Sequence, residues 1–336
     1  GSNRGRAVRN ASGLIAGDRM EQQREGKVIS LGQVIVDLTM KVPQVPQAGQ
    51  DVFADDVETA VGASFNMLHA VRQMGIKADH AGVLGSGPWA DMIRKAFAAD
   101  GVRHIGKCDA NRDSGFCVAL TDDDAERTFI STRGAEAFGD VDAFSDIRPN
   151  DGDVVHISGY TLAHKTGSAL LKFLERTAEN RRFTALFDPS PVIGQIDDDV
   201  FGTLVEYRPI WSCNERESML MAQRLGLTVP DGDFRTLAAM MTDALRSTLV
   251  MRVGGDGAWL AESGREPELI AGYPVRAVDT NGAGDCHAGV LCAELSRGVV
   301  LRDAIHFANV AAAVAVTRRG PATCPTRKEV EQLLSV

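Results

Sequence analysis

Short runs of β-branched and aromatic residues alternate with helical patterns over most of this chain, and the alternation limits the folds open to it. Apolar residues at helical spacing, such as Met67, Leu68, Val71 and Met74, separate one run from the next. Parallel strands need a long crossover between them, and a helix usually supplies it. The sequence therefore predicts an α/β sandwich with a mostly parallel sheet. Its candidate strands are residues 28–36, 80–84, 153–157, 184–187, 208–211 and 248–253.

Two stretches, residues 39–60 and 103–133, interrupt this alternation. Each contains β-type segments divided by polar turns, and the second includes residues 115–120 and 127–132. Such segments favour antiparallel strands that lie outside the main sheet. Surface hairpins without a functional role are the alternative interpretation.

The composition indicates an enzyme-sized unit whose partner is a small molecule. With 336 residues and 44% hydrophobic content, the chain can bury a large core. Its net charge of -9 argues against a nucleic-acid-binding face, which needs clustered positive charge. The sequence also has no run of about 18 apolar residues, which argues against a membrane-spanning helix.

The six cysteines and seven histidines show no spacing typical of a metal site or a disulfide framework. No C-x-x-C or H-x-x-x-H pair occurs. Unpaired thiols, together with the lack of a secretory hydrophobic region, predict a cytoplasmic location. Cys286 is expected to be a small buried residue rather than a reactive thiol.

The first 26 residues are polar and carry no hydrophobic period. We interpret residues 1–26 as a disordered expression tag and linker, with a native start near Met20. No internal repeat divides the remainder, so residues 27–336 are expected to form one folded domain.

A glycine-rich turn at residues 279–285 lies between a predicted strand, residues 274–278, and a predicted helix, residues 285–296. Backbone amides and the positive end of the helix dipole would surround a small concavity there, which suits a phosphate group. Asp285, in the first turn of the helix, could take a proton from a hydroxyl group. The pattern therefore favours phosphorylation of an alcohol. The alternative is a tight strand-to-helix turn in which Asp285 is an ordinary cap.

The complete string Asp-Thr-x-Gly-Ala-Gly-Asp resembles the C-terminal signature of the ribokinase-like, or phosphofructokinase-B (PfkB), family of sugar and nucleoside kinases. This resemblance extends over roughly residues 28 to 334. It implies a three-layer α/β/α sandwich in which the strands of residues 39–60 and 103–133 form a small lid over the sugar site. A lid of this kind excludes water, which would otherwise compete with the sugar for the phosphoryl group.

The same signature implies the roles of its residues in an ATP-dependent transfer. Asp285 would be the catalytic base, and the amides of Gly282, Ala283 and Gly284 would form an anion hole for the transferring group. Thr280 is expected to contact the nucleotide. ATP and Mg²⁺ are therefore the implied cofactors.

Two N-terminal segments resemble the parts of the family that bind the sugar. Asp37 is expected to end a strand, where it would accept hydrogen bonds from substrate hydroxyls. A solvated aspartate at a strand end is the alternative. Gly62 and Asn66 match a Gly-Gly-x-x-x-Asn signature, in which the amide contacts a hydroxyl group. Val61 replaces the first glycine of that signature and adds bulk beside the sugar.

Asn214 and Glu217 match the family's Asn-x-x-Glu, which implies that they organise Mg²⁺ largely through its bound waters. An N-cap with a capping-box Glu three residues later explains the same pair, and both interpretations can hold together. Some members of the family also use K⁺ held by carbonyl groups. Asp279 and the loop of residues 318–324 are the candidate K⁺ site.

A further segment resembles the family's nucleotide-side Lys-x-Gly-x-x-Gly turn. Arg252 stands in place of the Lys, and Gly254 and Gly257 supply the glycines that let the backbone pass close to ATP. A plain β-turn is the alternative. Asn309 lies in an alanine-rich helix that resembles the one beside the adenine. His287 occupies a position that is commonly Phe, and we expect it to pack along its helix.

Residues 89–93, 126–129 and 158–160 resemble segments of a poorly assigned bacterial branch of sugar kinases. The hypothesis is an ATP-dependent kinase for a small sugar, and a nucleoside kinase on the same fold is the alternative. A non-catalytic sugar-binding protein is a third hypothesis, which the intact Asp285 and glycine turn disfavour. The resemblance also implies a homodimer that forms through the lid strands.

Overall fold

Two β-sheets and the helices around them make up residues 25–335, which this computed structural model describes. The predicted tag and linker lies outside the described residues, apart from Glu25 and Gly26. Numbered along the chain, the strands are β1 (Val28–Ser30), β2 (Val34–Lys41), β3 (Asp56–Ala63), β4 (Ala78–His80), β5 (Arg103–His104), β6 (Phe116–Thr121), β7 (Arg127–Ser131), β8 (Val154–Ser158), β9 (Thr184–Asp188), β10 (Ile210–Cys213), β11 (Leu249–Arg252), β12 (Gly257–Ala261) and β13 (Glu268–Ala271).

Helices connect most of these strands. They are α1 (Ser64–Gln73), α2 (Pro88–Asp100), α3 (Gly159–Leu162), α4 (Gly167–Thr177), α5 (Asp198–Tyr207), α6 (Glu215–Arg224), α7 (Phe234–Leu245), α8 (Ala283–Ser296), α9 (Leu301–Ala315) and α10 (Arg327–Leu334). Within residues 25–335, no helix is long and apolar enough to cross a membrane.

The main sheet has nine strands in the order β13-β12-β11-β10-β9-β8-β1-β4-β5. Strands β11 through β5 in this order pair in parallel, whereas β12 and β13 form an antiparallel extension at one edge. The mostly parallel sheet that the alternating pattern predicts is therefore confirmed. The antiparallel edge was not predicted, because residues 257–261 follow a glycine turn that gave no sign of strand direction.

Helices cover both faces of the main sheet, so the domain has three layers. Successive strand residues point to opposite faces, and Val28 and Ile29 of β1 accordingly belong to two separate apolar cores. Val28 packs in the core formed with α1, α2, α8, α9 and α10. Ile29 packs in the core formed with α4, α5, α6 and α7. Burial on both faces explains why these strands are almost continuously apolar.

The smaller sheet has the order β3-β2-β6-β7 and consists of the strands that the prediction assigned to a lid. β2 pairs antiparallel with β3 and parallel with β6, and β6 pairs antiparallel with β7. Residues 103–104, which the prediction placed in the lid range, instead form the edge strand β5 of the main sheet.

The predicted strand 28–36 is two strands in two different sheets. The chain leaves β1 after Ser30 and enters β2 at Val34. Gly32 lies between them, where a Cβ atom would overlap the Ser64 hydroxyl oxygen, so the glycine makes room for the Ser64 side chain at this change of sheet. Asp37 consequently lies inside β2, and the expectation that it ends a strand is wrong.

The predicted strand at residues 274–278 is also wrong, because these residues form no strand. The amides of Val278 and Asp279 both donate to the carbonyl oxygen of Val316, at 2.7 and 3.0 Å. The segment is therefore tied to the end of α9 rather than to a neighbouring strand. Helix α8 begins at Ala283, two residues earlier than predicted.

Contacts with the domain begin slightly before the predicted boundary at residue 27. The amide of Gly26 donates to the carbonyl oxygen of Ser296 at 3.0 Å, and the Glu25 carboxylate pairs with Arg297 at 2.7 Å. Both partners lie at the C-terminal end of α8.

Helices α1 and α8 cross at close range, and Gly289 lies at their contact. A Cβ atom on Gly289 would overlap the carbonyl oxygen of Met67 and crowd the Ala70 side chain. This close approach brings Asn66 of α1 to Asp285 of α8, with 3.3 Å between the Asn66 Nδ2 and the Asp285 Oδ2.

Replacing Gly289 with Ala should lower the free energy of unfolding by about 1–3 kcal/mol, because the extra methyl group has no room between α1 and α8. Urea unfolding measures this change. Gly202→Ala is the matched control, since a Cβ on this exposed residue of α5 meets nothing within 4 Å. It should instead raise stability by about 0.5–1 kcal/mol. Equal effects of the two substitutions would contradict the proposed packing.

Candidate active site

Two cavities meet at the glycine turn that precedes α8. The larger has a volume of about 670 Å³ and the smaller about 260 Å³. They lie at the carboxyl ends of the parallel strands, where open α/β sheets bind ligands. The residues that line both cavities are Asn214, Arg252, Thr280, Ala283 and Gly284. A molecule in one cavity would therefore contact a molecule in the other at the start of α8.

The backbone around Gly282 fixes the glycine turn. Gly282 has a φ of 76°, and a Cβ atom there would overlap the carbonyl oxygen of Pro321. The Asp279 carboxylate accepts hydrogen bonds from the amides of Asn281 and Gly320, both at 2.9 Å. These two bonds hold the pKa of Asp279 below its usual range. The carboxylate of Asp279 thus ties the turn to the loop after α9.

The first turn of α8 leaves backbone donors free. Among residues 25–335, the amides of Gly284 and Asp285 have no hydrogen-bond partner. They lie at the positive end of a 14-residue helix. Free amides and a helix dipole at one point form a site for an anion.

Asp285 lies in the same helical turn and lines the smaller cavity. Burial, and then the negative charge of Asp188, raise its pKa to about 7, although the hydrogen bond from Asn66 acts in the opposite direction. A carboxyl group with this pKa exchanges its proton near neutral pH. It can therefore serve as a general base.

Asp188 was missed in the sequence, although its position carried a usable signal. It is the last residue of β9 and lines the smaller cavity, with its Oδ1 accepting a hydrogen bond from the Ser190 amide at 3.1 Å. The rule that polar residues at strand ends bind ligands, applied to Asp37, fits Asp188 better. Gln33 and Tyr160 also line this cavity and were not predicted as site residues.

Asn214 and Glu217 form the capping box at the start of α6. The backbone amide of Asn214 donates to the Glu217 carboxylate, and the backbone amide of Glu217 donates to the side-chain Oδ1 of Asn214, both at 2.8 Å. Burial, followed by the charge of Asp188, raises the pKa of Glu217. The capping interpretation therefore holds, and Glu217 still lines the smaller cavity.

Arg252 lies between Glu217 and the glycine turn. Its guanidinium is 3.5 Å from the Glu217 carboxylate and donates to the Ser212 hydroxyl at 3.0 Å. A Cβ atom on Gly284 would stand 3.5 Å from the same guanidinium. The positive charge of Arg252 is thus next to the free amides of α8.

The remaining residues predicted for the nucleotide line the larger cavity. Gly254 and Gly257 have φ angles of 60° and 111°, and a Cβ on Gly257 would overlap the carbonyl oxygen of Ile270. Both positions therefore favour glycine. Thr280 is exposed at the junction of the two cavities.

Asn309 and His287 both line the larger cavity, and their side chains bond to each other. The Asn309 Nδ2 donates to the carbonyl oxygens of Ile270 and Ala271, at 2.9 and 3.2 Å. Its Oδ1 is 2.9 Å from the His287 Nε2, which must carry the proton in this pair. Burial lowers the pKa of His287 to about 3, so the ring is neutral. The amide of Asn309 is therefore used to join α8, α9 and β13.

Asp37 and Gly62 lie together in the smaller sheet, outside the lining of the smaller cavity. A Cβ atom on Gly62 would overlap the Asp37 carboxylate, so the glycine makes room for that group. Burial raises the pKa of Asp37 to about 6. Val61, the departure from the family glycine, is buried and pairs with Val36 on the opposite face of the sheet. Ala63, directly after Gly62, does line the cavity.

The carboxylates of Asp188 and Glu217 suit a metal ion that takes most of its ligands from phosphate and water. Among residues 25–335, no three His, Cys, Asp or Glu side chains could hold a metal ion by themselves. Asp188 and Glu217 nevertheless line one cavity beside the anion site, and burial followed by the charge of Asp188 raises the pKa of Glu217. Mg²⁺ fits this donor set, because it is usually bound by one or two carboxylates together with phosphate oxygens and water.

Comparison with known proteins gives a family match over most of the chain. The sequence profile described as pfkB family carbohydrate kinase matches residues 25–328. An uncharacterized sugar kinase of Escherichia coli, YegV, is 33% identical over 305 residues, which cover 90% of this chain and 92% of that protein.

Solved structures share the fold. Ribokinase of Arabidopsis thaliana, complexed with ribose and ATP, superimposes with a TM-score of 0.76 at 19% identity, covering 93% of this chain and 99% of that chain. A nucleoside kinase of Methanocaldococcus jannaschii gives a TM-score of 0.73 at 16% identity, covering 92% and 99%. The predicted ribokinase-like α/β/α sandwich is confirmed.

The raised pKa of Asp285 predicts how stability depends on pH. The folded carboxyl has a pKa of about 7, against an ordinary value of 3.8, so between these values the folded state holds more protons than the unfolded state. The contribution of Asp285 to the free energy of unfolding therefore falls as the pH rises from about 4 to about 7. Asp285→Asn removes this titration, and it should melt higher than the wild type at pH 8 by roughly a few degrees.

Differential scanning calorimetry at pH 5 and pH 8 measures this effect. The difference in melting temperature between variant and wild type should be larger at pH 8. Asp243→Asn, on the exposed surface of α7, is the control and should give the same small difference at both pH values. A pH-independent difference for Asp285→Asn would show that the buried carboxyl has an ordinary pKa.

Proposed function

This chain belongs to the pfkB family of carbohydrate kinases, and we propose on that premise that it transfers the γ-phosphoryl group of MgATP to a hydroxyl group of a small sugar. As a member of the family, the protein is a phosphotransferase with an alcohol group as acceptor. ATP is the phosphoryl donor of these kinases. The sugar, the hydroxyl group and the residue roles are the proposal.

One observation carries the proposal: Asp285 and the free amides of α8 lie at the junction of the two cavities. The carboxylate faces the smaller cavity, and Gly284 lines both. A phosphoryl donor in the larger cavity and an acceptor in the smaller one would react at this junction. Base and anion site are then within one helical turn of each other.

In the proposed mechanism, Asp285 removes the proton from the acceptor hydroxyl as the phosphoryl group is transferred. The free amides of Gly284 and Asp285 stabilise the charge on the transferring group. Loss of one well-placed donor of this kind costs about 3–4 kcal/mol in comparable sites. The predicted donors Asn281 and Ala283 are not free, because their amides bond to the Asp279 carboxylate and the Thr280 carbonyl oxygen. Asn66 keeps the Asp285 carboxylate in place through the 3.3 Å hydrogen bond. Arg252 adds positive charge on the donor side.

The larger cavity suits the nucleotide. Its volume of about 670 Å³ is in the range of drug-sized ligands, about 300–1,000 Å³, and glycines allow close backbone approach along one side. Asn214, Arg252, Gly254, Gly257, Thr280 and Asn309 all line it. We propose that Mg²⁺ is held near Glu217 and Asp188, where it would neutralise phosphate charge. Dependence on K⁺ near Asp279 stays a prediction.

The smaller cavity favours a sugar over a nucleoside as acceptor. Its volume of about 260 Å³ lies below that range, which fits a single sugar ring better than a sugar joined to a base. The nucleoside kinase of M. jannaschii shares only the fold with this chain, so it leaves the alternative open. A non-catalytic sugar-binding protein is disfavoured, because binding alone does not need a carboxyl group with a pKa near 7.

We propose that the smaller sheet closes over the acceptor and also forms a homodimer. By register, Val57 and Ile130 share one face of this sheet, whereas Asp37 lies on the other. Val57 and Ile130 are 54% and 60% exposed. A second copy of the chain would cover them. The cytoplasmic location and the absence of nucleic-acid and membrane partners stay predictions.

ADP release from MgATP, measured across a panel of free sugars and nucleosides, tests the proposed reaction. One acceptor should give turnover, and Asp285→Asn should lower kcat by at least about a hundredfold while the acceptor still binds. Asp243→Asn is the matched control and should keep the wild-type rate. In the wild type, kcat/KM for the acceptor should fall about tenfold per pH unit below pH 7, because the base must be unprotonated.

The panel also separates the three hypotheses. Turnover with nucleosides but not with free sugars would replace the sugar kinase by the nucleoside kinase. Binding without turnover of any acceptor would favour a sugar-binding protein. Wild-type rates in Asp285→Asn would remove Asp285 from the mechanism.

Sedimentation velocity at micromolar concentration tests the dimer. The wild type should sediment as a dimer, and Ile130→Glu should give a monomer, because a charge would then be buried at the contact. Val300→Glu is the control, since Val300 is 64% exposed at the start of α9, away from the smaller sheet. A monomeric wild type would contradict the dimer and leave the proposed kinase activity unaffected.

A further inference from the structure

Two side chains that the proposed mechanism does not use present unpartnered donors to the smaller cavity. Both Gln33 and Tyr160 line it. Gln33 follows β1 and Tyr160 follows β8, which are neighbouring strands of the main sheet. What these residues recognise depends on the proposed function, since the smaller cavity is taken to hold the phosphoryl acceptor.

The backbone that carries Tyr160 is held from three sides. The Tyr160 amide donates to the Ser158 hydroxyl at 3.3 Å, which caps α3. A Cβ atom on Gly159 would overlap the carbonyl oxygen of Pro189, so this segment packs directly on the chain after β9. The Thr161 hydroxyl donates to the carbonyl oxygen of Leu31 at 3.1 Å. Tyr160 is therefore presented to the cavity by rigid backbone.

The side chain of Tyr160 is open to a ligand. It is 40% exposed, although it lies in a concave site, and its hydroxyl has no hydrogen-bond partner among residues 25–335. Burial, followed by the negative charges of Asp188 and Glu217, raises the pKa of Tyr160. The phenol stays protonated and can donate a hydrogen bond.

The amide of Gln33 is oriented by His164. The Gln33 Oε1 and the His164 Nε2 are 2.9 Å apart, and because an amide oxygen only accepts, the imidazole must donate. Burial lowers the pKa of His164, so the ring is neutral with its proton on Nε2. The Gln33 amide nitrogen has no partner among the described residues, which leaves two N–H donors for a ligand.

We propose that Tyr160 and Gln33 together form the wall that selects a ring-closed sugar as the acceptor. The aromatic ring offers a flat apolar surface to the C–H face of a furanose or pyranose. The phenol and the amide donate to ring or hydroxyl oxygens, whereas Asp285, which lines the same cavity, accepts from the hydroxyl that is phosphorylated. An open-chain alditol has one more hydroxyl group in place of the ring oxygen and has no flat face, so it binds less well.

The test compares each sugar with its alditol: D-ribose with ribitol, D-xylose with xylitol and D-glucose with sorbitol. KM and kcat are measured by ADP release at saturating MgATP, and Kd by calorimetry in the presence of a non-hydrolysable ATP analogue. Tyr160→Ala should raise the KM and Kd of the preferred sugar by about tenfold and those of its alditol by much less. The preference of the Tyr160→Ala variant for the ring-closed sugar over the alditol should therefore largely disappear.

Two conservative variants separate the donors from the shape of the wall. Tyr160→Phe keeps the ring and should raise the sugar KM about fivefold, in proportion to one lost hydrogen bond. Gln33→Glu keeps the acceptor for His164, removes the N–H donors and should have a similar effect. The KM for MgATP should not change in either variant. Tyr207→Phe is the control, because the Tyr207 hydroxyl bonds to Thr177 and not to the cavity.

The possible outcomes distinguish this inference from the proposed function. Unchanged sugar KM and Kd in Tyr160→Ala, or an equal loss for sugar and alditol, would overturn the inference while the kinase activity stands. If the wild type binds a sugar without turnover, the proposed function fails, and the Kd comparison still decides the inference. If the wild type neither binds nor phosphorylates any sugar of the panel, both are wrong.

Discussion

The close crossing of α1 and α8 is the contact on which the site depends. Gly289 lets the backbone of α1 approach α8, and that approach brings Asn66 to Asp285. The same helix carries the free amides of its first turn. Asp285, the Asn66 amide that bonds to it and the free amides of α8 are therefore positioned by one helix packing rather than by loops. A site built on packed helices retains its geometry better than one built on mobile segments.

The carboxylates at this site lower stability, and the proposed phosphoryl transfer would use them. Asp188, Glu217 and Asp285 face one cavity, and their mutual repulsion together with burial raises the pKa values of Glu217 and Asp285. Each carboxylate accepts a hydrogen bond, Glu217 within its capping box, Asp188 from Ser190 and Asp285 from Asn66, yet the pKa values of Glu217 and Asp285 stay raised. Perturbed acids that cluster in a cleft are typical of active sites. A bound cation would relieve this repulsion.

The sequence indicated the local parts of this site, but it did not show which residues distant in the chain lie close together in the fold. The glycine turn and Asp285 could be predicted because the free amides, the dipole and the carboxylate all belong to seven consecutive residues. The pair of Asn66 and Asp285 joins positions 219 residues apart, which spacing alone cannot show. Asp37 was misplaced because the apolar run around Gly32 does not reveal that the chain changes sheets. Gln33 and Tyr160 acquire a role only where neighbouring strands end together.

Two short connections, before β2 and after β3, join the smaller sheet to the main domain. β3 ends at Ala63 and α1 begins at Ser64, so one continuous piece of chain leads from the smaller sheet to Asn66. On the other side, three residues separate β1 from β2. The smaller sheet is consequently not an exchangeable module. Grafting the corresponding strands from a relative would also alter the entry to α1, and with it the hydrogen bond between Asn66 and Asp285.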